Sequence, residues 1–273
     1  MVSILAELRA AIIGSNACAI LTETRHGMLL VPSRDFFVGR QLCFKGSYCC
    51  DMLDFLLRRY CSQSSEVLIV GAHVGTLLVP IAKQVKRVVG IEANPDIFGL
   101  LKRNVILNNL YNVLLKNLAA GDRDATVEFM ASSYNSGGSK VKMGHWNDRR
   151  YAYDQPKTIN VEMKPLDIEL GCSTAFDLVI MDIEGAETAA LRGMSGLLTA
   201  ARTLVIEILP HHLNRLAQVT EGEFAALLAP YFDAAVFCPG LKVASGVFEK
   251  SRFEELIREC CRLGGTDVVF YKN

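Results

Sequence analysis

The residues best suited to chemistry in this sequence are three acids that directly follow an apolar run. In the stretch VIMDIEGAET, Asp182, Glu184 and Glu187 come immediately after the apolar residues. Crowded carboxylates raise one another's proton affinity, so one of them can take a proton from a substrate. Three acids can instead hold Mg²⁺ through their oxygens. The sequence leaves both uses open, and Glu187 can equally cap the helix that follows.

A further acid and a histidine follow in the next apolar segment, RTLVIEILPHH. Glu207 nearly ends the apolar run, and His211 comes just after Pro210. Parallel strands point their carboxyl ends at the ligand crevice of an open sheet, so acids at the ends of two such strands converge there. Asp182 and Glu184 point to the same side if their strand extends that far. We therefore predict that Asp182, Glu184 and Glu207 are catalytic, with His211 as a base or ligand beside them.

A glycine-containing turn closes another apolar run. EVLIVG leads into GAHVG, which runs from Gly71 to Gly75, and a helical pattern follows. Glycines at such a turn let the backbone approach a ligand and expose helix N-terminal N–H groups. Glu92 ends the next run, RVVGIEA, where a carboxylate can accept hydrogen bonds from both hydroxyls of a ribose. These features together predict a nucleoside-cofactor site.

The spacing of this turn favours one cofactor over another. A dinucleotide-binding turn needs Gly-x-Gly-x-x-Gly, which from Gly71 requires glycine at positions 73 and 76. The sequence has His73 and Thr76 there, and both side chains obstruct a pyrophosphate. S-adenosylmethionine carries no phosphate and tolerates a side chain at this point. We therefore expect S-adenosylmethionine and not NAD.

The elements that position these residues follow from the apolar pattern. Continuous apolar runs are typical of strands buried on both faces of a parallel sheet. Asn94 and Pro95 are typical of an N-cap and a first helical residue. Residues 66–110 therefore predict a β-α-β-α unit with a right-handed crossover. Further strands are predicted at NVLLKNLAAG, TVEFM, FDLVIMD, RTLVIEIL and TDVVFYK, and a helix at EGEFAALLAPYF.

Two regions depart from this pattern. Residues 1–62 combine the amphipathic stretch MVSILAELRAAII, two short strand-like runs and a second helical stretch, and we predict that they form a cap before a domain at 63–273. Residues 132–157 are polar and rich in Gly and Ser, which is typical of a functional loop or of a disordered segment. We expect this loop to order over substrate. Its tryptophan, Trp146, and Tyr48 of the cap are the predicted substrate contacts.

Five blocks of the sequence resemble, in order, those of the FkbM-type S-adenosylmethionine-dependent methyltransferases. They read VLIVGAHVGTLLVPIAK, VVGIEANP, LAAGDRDATVEF, DLVIMDIEGAET and TLVIEILP, and DIEGAE is the most specific. The resemblance implies an α/β fold with the Rossmann-like, seven-stranded, mostly parallel sheet of class I methyltransferases. One strand is expected to be antiparallel and at the edge, and the N-terminal region is a small helix and strand extension.

The resemblance also implies the reaction and its residues. The family generally moves a methyl group to a hydroxyl, often of a sugar or secondary metabolite, and some relatives methylate nitrogen. Such enzymes usually carry an acid two residues before the first loop glycine, where this sequence has Ile69, so another group such as Asp182 must hold the methionine end of the cofactor. The implied cofactor contacts are Gly71, Ala72, His73, Val74, Gly75, Glu92, Ala93, Asn94, Asn117, Leu118 and Asp182.

Composition limits the expected partners and compartment. Lys plus Arg and Asp plus Glu are both 29, so the formal net charge is zero, and we expect no nucleic acid and no membrane as partner. No apolar run reaches the roughly 20 residues that span a bilayer. The nine cysteines include no Cys-x-x-Cys pair, so we expect free, mostly buried thiols in a reducing cytoplasm. The sequence leaves open whether the protein forms a homodimer.

These inferences predict an S-adenosylmethionine-dependent O-methyltransferase that acts on a small molecule, with dependence on Mg²⁺ left open. N-methylation of a peptide or amide group is the alternative within the same class. An NAD-dependent oxidoreductase and a non-catalytic nucleoside-binding protein are the alternatives of other classes. His73 and Thr76 argue against NAD, and the intact DIEGAE argues against a scaffold without activity.

Overall fold

The structure is a computed structural model that describes residues 8–9, 11–14, 16–142, 154, 156–239 and 246–273. Its strands are β1 (Ala19–Thr24), β2 (Gly27–Pro32), β3 (Glu66–Val70), β4 (Arg87–Ile91), β5 (Val113–Lys116), β6 (Ala119–Ala120), β7 (Ala125–Ala131), β8 (Lys140–Val141), β9 (Lys157–Lys164), β10 (Leu178–Met181), β11 (Thr203–Ile208), β12 (Ala234–Phe237), β13 (Phe248–Glu249) and β14 (Thr266–Tyr271). Its helices are α1 (Val38–Lys45), α2 (Cys50–Tyr60), α3 (Leu78–Ala82), α4 (Pro95–Leu107), α5 (Leu166–Leu170), α6 (Glu187–Arg192), α7 (Ser195–Ala200), α8 (Glu221–Leu228) and α9 (Phe253–Arg262).

A mostly parallel central sheet confirms the predicted fold class. Its strand order is β13-β12-β14-β11-β10-β3-β4-β5, so it has eight strands where seven were expected, the two-residue β13 included. β14 runs antiparallel to β11 on one side and to β12 on the other, and the two-residue β13 runs antiparallel to β12 at the edge of the sheet. The expectation of a single antiparallel strand, placed at the edge, is therefore wrong, because the chain returns through α9 and inserts β14 between β11 and β12.

The buried strands separate two apolar cores, one on each face of the sheet. Along β3, Leu68 and Val70 join one core while Val67 and Ile69 join the other. This alternation follows from the two-residue period of a strand, and burial on both faces explains the unbroken apolar runs of the sequence. Helix α4 begins as predicted, with Asn94 as its N-cap and Pro95 as its first residue.

The N-terminal region packs on α4 as a hairpin followed by two helices. β1 and β2 pair antiparallel, and α1 and α2 follow them. The N-terminal amphipathic stretch is helical at the described residues 8, 9 and 11–13, and the rest of it lies outside the described residues. The domain boundary at 62 and 63 falls between α2 and β3, and it stays a prediction.

A second, small sheet has no counterpart among the predicted domains. Its order is β6-β9-β7-β8, and it lies beyond the carboxyl end of β5 in the chain. The segment 132–157 is therefore not structureless where the structure describes it, since it contains a 3₁₀ turn at Ser136–Gly138 and the strand β8. Residues 143–153 and 155 lie outside the described residues, and they include Trp146.

All nine cysteines are free, as predicted, but most of them are not buried. Only Cys238 and Cys260 are buried, whereas Cys18, Cys49 and Cys172 are exposed. The prediction of mostly buried thiols is wrong, because many of these cysteines lie in the cap and in loops and not in the central sheet.

Among the helices of the described ranges, none is both long and apolar enough to cross a membrane.

Candidate active site

Most of the predicted site residues meet in one cleft at the carboxyl ends of β3, β4 and β10. The cleft has the glycine loop at its base and the segment 136–141 along one wall. Its lining includes these residues predicted from the sequence: Tyr48, Gly71, Ala72, His73, Glu92, Ala93, Leu118, Asp182, Glu184 and Glu207.

The glycine loop brings the backbone of β3 against the residue that follows β10. Gly71 has a φ of 90°, and a Cβ added there would lie 1.8 Å from the carbonyl oxygen of Asp182. Only glycine permits this approach. His73 also adopts a left-handed backbone, with a φ of 50°. In this strained conformation the backbone N–H of His73 donates a hydrogen bond to Glu92 Oε2 at 2.8 Å.

Glu92 is a buried carboxylate held in place by the backbone. Its two oxygens accept the N–H groups of His73 and Asn94, each at 2.8 Å. Asn117 donates to the carbonyl oxygens of Glu92 and Ala93 at 2.7 and 3.1 Å, which fixes the end of β4. Burial raises the pKa of Glu92 to about 7, although the backbone hydrogen bonds oppose the rise.

Four of the predicted cofactor residues support the cleft from behind and do not line it. Val74 is fully buried, and a Cβ on Gly75 would contact Leu101. Asn94 caps α4, and Asn117 holds the end of β4. Their effect on a ligand therefore passes through the backbone of residues that do line the cleft.

The acids of DIEGAE lie in a turn and not on an extended strand. β10 ends at Met181, and Glu184 has a left-handed φ of 57°. The condition for Asp182 and Glu184 to point to the same side, a strand that extends as far as residue 184, is therefore not met. Both nevertheless line the cleft, because the turn carries them around its rim.

Glu184 has two basic neighbours. Its Oε2 lies 3.2 Å from Lys140 Nζ and 3.5 Å from His212 Nε2. Lys140 and His212 are both buried. Burial alone raises the pKa of Glu184, but the interactions with His212 and Lys140 outweigh it and the pKa is lowered. Glu184 is therefore ionised, and it forms an ion pair with Lys140.

The pKa values of Asp182 and Glu207 are both raised, opposite to that of Glu184. Asp182 is exposed to the open cleft, but protein atoms surround its carboxyl group on the other sides. The partial loss of solvent around this group, together with the charge of Glu184, raises the pKa of Asp182 well above the usual range. Burial and the charge of Asp182 raise the pKa of Glu207 to about 10. Asp267, which sequence reasoning missed, pairs with Glu207 across β11 and β14 and lines the same cleft. Burial raises the pKa of Asp267 as well.

Glu187 has the structural role that the sequence left open. It is buried, and its Oε1 accepts the N–H groups of Ile183 and Gly185 at 3.2 and 3.1 Å. It starts α6, where a negative charge is favourable. Glu187 therefore braces the turn that presents Asp182 and Glu184.

The structure separates the remaining candidates. His212, and not the predicted His211, lies next to Glu184, while the ring of His211 contacts that of His212 at a tilt of 59°, with centroids 4.4 Å apart. Tyr48 lines the cleft, its backbone N–H donates to His26 Nε2 at 2.9 Å, and its contact with substrate stays a prediction. Burial raises the pKa of Tyr48 above its usual range. The role of Trp146 stays a prediction outside the described residues.

The cleft fits S-adenosylmethionine better than it fits a metal ion. Glu92 offers a carboxylate positioned for a ribose, and Ile69, Ala72 and Ala93 add apolar lining. Within the described ranges, no group of three or more His, Cys, Asp or Glu side chains is arranged to hold a metal ion. The predicted Mg²⁺ therefore receives no support from the geometry of these acids.

Comparison with known proteins places the chain among methyltransferases. It is 37% identical over 62 residues to a probable ribosomal RNA small subunit methyltransferase A from Methanosphaera stadtmanae, a match that covers 22% of this chain and 23% of that protein. An FkbM methyltransferase structure from Methylobacillus flagellatus has 17% identity and a TM-score of 0.46, covering 77% of this chain and 44% of that one. A T. thermophilus 16S rRNA methyltransferase solved with AdoMet and guanosine has 15% identity and a TM-score of 0.46, covering 93% and 50%.

These findings overturn one prediction. A protein named as an RNA methyltransferase is a sequence relative of this chain, so excluding nucleic acid as a partner is wrong. A formal net charge of zero averages over the whole molecule and says nothing about a local basic surface. The chain spans less than half the length of the FkbM structure and about a quarter of the length of the RNA methyltransferase.

The family assignment rests on a match that covers most of the central sheet. The model of the methyltransferase FkbM domain matches residues 70–236, more than half of the chain, from the end of β3 to β12. This range contains the glycine loop, Glu92, the DIEGAE turn and Glu207. The chain therefore belongs to the FkbM methyltransferase domain family.

Proposed function

We propose that this protein is an S-adenosylmethionine-dependent methyltransferase whose cofactor lies over the glycine loop. The observation that carries the proposal is that Glu92 and Asp182 line one cleft on opposite sides of that loop. They follow β4 and β10, which flank β3, so the two residues are separated by two strand spacings, about 10 Å. Glu92 would accept the ribose hydroxyls, and Asp182 would stand at the methionine end, where Ile69 replaces the usual acid.

The reaction we propose is transfer of a methyl group to a hydroxyl. When bound, the cofactor supplies a methyl on a sulfonium, which is already an activated electrophile, so the protein mainly has to align the reactants. Asp182 would take the hydroxyl proton as the new carbon–oxygen bond forms. Asp182 would act in its ionised form, in which burial and the charge of Glu184 make it a stronger proton acceptor than an ordinary carboxylate.

The other acids have different proposed roles. Glu184 is held by Lys140 and His212, so it would orient the acceptor and not carry the proton. Glu207, with its pKa of about 10, is protonated near neutral pH and can donate a hydrogen bond to the acceptor. Such a set of donors and acceptors suits a polyhydroxyl small molecule.

An RNA acceptor is the second candidate, because the sequence relative is named as an RNA methyltransferase. The two candidates are separated by incubating the protein with methyl-labelled S-adenosylmethionine and, in parallel, with small hydroxyl compounds or with ribosomal RNA. We expect label in the small-molecule fraction as an alkali-stable methyl ether. Label that enters only the RNA would make this protein an RNA methyltransferase, and N-linked label would overturn the O-methylation.

The base is tested by Asp182→Asn. We expect kcat to fall about 10²- to 10⁴-fold, the usual contribution of a general base, with little change in cofactor affinity. The matched control is Asp124→Asn on an exposed loop residue, which should behave like the parent. Parental turnover by Asp182→Asn would remove Asp182 from the reaction.

A further inference from the structure

His73 lies where the glycine loop meets two other parts of the chain. Its backbone N–H holds Glu92, and its ring Nε2 lies 2.7 Å from Ser136 Oγ. Ser136 is buried in the 3₁₀ turn of the segment that forms one wall of the cleft. The Ser136 hydroxyl also contacts Asp35 Oδ2, and Asp35 is fully buried. Three segments distant in sequence thus share one chain of hydrogen bonds.

The direction of each hydrogen bond follows from the acceptors. Asp35 accepts three backbone N–H groups, from Phe37 at 2.8 Å and from Gly39 and Ser136 at 3.1 Å each. A carboxylate that already accepts these bonds also accepts the hydroxyl proton of Ser136. A hydroxyl has one proton, so Ser136 Oγ must accept from the ring of His73. His73 therefore carries its proton on Nε2.

The ring is neutral in this arrangement. Burial lowers the pKa of His73, although the charges of Asp35 and Glu184 oppose the shift. A neutral ring has a single N–H, and here Ser136 fixes it on Nε2. The hydrogen bond also helps to hold His73 in a left-handed backbone conformation, which is unfavourable for a residue other than glycine.

We propose that Asp35, Ser136 and His73 form a relay in which His73 is a positioning residue: it fastens the wall segment to the glycine loop and, through its own N–H, sets Glu92 for the ribose of the cofactor. The relay connects the cap, through Asp35, to the cofactor site. The part that concerns the cofactor rests on the proposed function, whereas the proton position on His73 does not.

Two variants and their combination test the relay on the full chain. Ser136→Ala removes the shared hydroxyl. His73→Asn removes the ring and keeps a residue that tolerates the left-handed backbone. Each should weaken S-adenosylmethionine binding about three- to tenfold, the effect of losing one neutral hydrogen bond, and the double variant should lose no more than either single one. Ser133→Ala, at an exposed serine of the same segment, is the control and should bind like the parent.

The proton position is measured without any ligand. Nitrogen NMR of ¹⁵N-histidine-labelled protein assigns His73 from the signal lost in His73→Asn. The parent should show the Nε2–H form near neutral pH, and Ser136→Ala should show a mixture of both forms. A parent with its proton on Nδ1, or single variants that bind the cofactor like the parent, would overturn the relay. A parent that shows the Nε2–H form but does not bind S-adenosylmethionine would instead sink the proposed function.

Discussion

At the scale of residues, the surroundings of Glu184 and Asp182 shift the pKa values of these two neighbouring acids in opposite directions. Lys140 and His212 lower the pKa of Glu184, while burial and the charge of Glu184 itself raise that of Asp182. Two titratable groups whose environments drive their pKa values apart are a common basis for dividing roles in an active site. We propose that Glu184, which is paired with Lys140, orients the acceptor and that Asp182 accepts the proton.

Lys140 should set the pH range of the reaction. Its charge lowers the pKa of both Glu184 and Asp182, so Lys140→Met should raise both values. The acid limb of the kcat profile should then move to higher pH, because the carboxylates ionise later. Lys142→Met is the matched control: this exposed neighbour pairs with Glu128, and its loss should leave the limb in place. An unmoved limb in Lys140→Met would show that Lys140 does not act on the catalytic acids.

The sequence identified the acids at strand ends but missed their partners, for physical reasons. Lys140 and Ser136 lie in a polar, Gly- and Ser-rich segment, where no periodicity marks a buried residue. Asp267 lies near the start of β14, and only an antiparallel strand begins where parallel strands end. Rules that look for functional residues at carboxyl ends therefore pass over it. His212 was passed over for His211 because adjacent residues cannot be oriented from sequence alone.

At the scale of elements, the cap is fastened to the central domain by two asparagines of α4. The amide of Asn104 accepts the N–H of Leu30 at 2.6 Å and donates to the carbonyl oxygens of Leu30 and Val74 at 3.0 and 2.8 Å. One turn later, Asn108 exchanges the same pair of bonds with Met28. The side chains of a helix thus satisfy the free edge of β2, which would otherwise leave buried backbone groups unpaired.

Removing one of these amides should loosen the cap. Asn104 is fully buried, so Asn104→Ala leaves Leu30 without partners and should lower the free energy of unfolding by about 1–3 kcal/mol. Chemical denaturation measures the change. Lys102→Ala, at an exposed position of the same helix, should change stability by less than about 0.5 kcal/mol. Equal stability of Asn104→Ala and the parent would show that the amide bonds contribute nothing net.

The strands buried on both faces were predicted from the sequence, and so was the half-buried β7, at TVEFM. β3, β4, β10 and β11 are continuous apolar runs, and Asn94 with Pro95 marks the start of α4. The small sheet could not be assembled in the same way, because β6 and β8 have two residues each and show no alternation. Its pairing is set by contacts between distant segments, which local patterns do not encode.

At the scale of the whole molecule, a net charge of zero conceals an uneven distribution. Asp182, Glu184, Glu207 and Asp267 all line the cleft, while surface pairs such as Arg25–Asp54 and Arg252–Glu255 balance elsewhere. Crowding these acids in one cleft costs stability once they ionise, because like charges repel one another. The protein without ligand should therefore lose stability as pH rises.

Glu207 makes this dependence measurable. Its carboxyl releases a proton near pH 4.5 when the chain is unfolded but near pH 10 in the folded state, so the unfolded state binds fewer protons between these values. The free energy of unfolding then falls with rising pH across that range. Glu207→Gln removes this slope, so its stability relative to the parent should be greater at pH 8 than at pH 5. Glu249→Gln, at an exposed acid, should track the parent at both pH values. Parallel pH curves for parent and Glu207→Gln would contradict the shifted carboxyl.

The central claim, that the glycine loop and Glu92 hold S-adenosylmethionine, is tested most directly by calorimetry. We predict that the parent binds S-adenosylmethionine and not NAD. Glu92→Ala should weaken that binding tenfold or more, because a hydrogen bond to a charged group contributes about 1.5–3 kcal/mol, whereas Glu249→Ala should leave it unchanged. Tighter binding of NAD than of S-adenosylmethionine, or an unchanged dissociation constant in Glu92→Ala, would contradict the account.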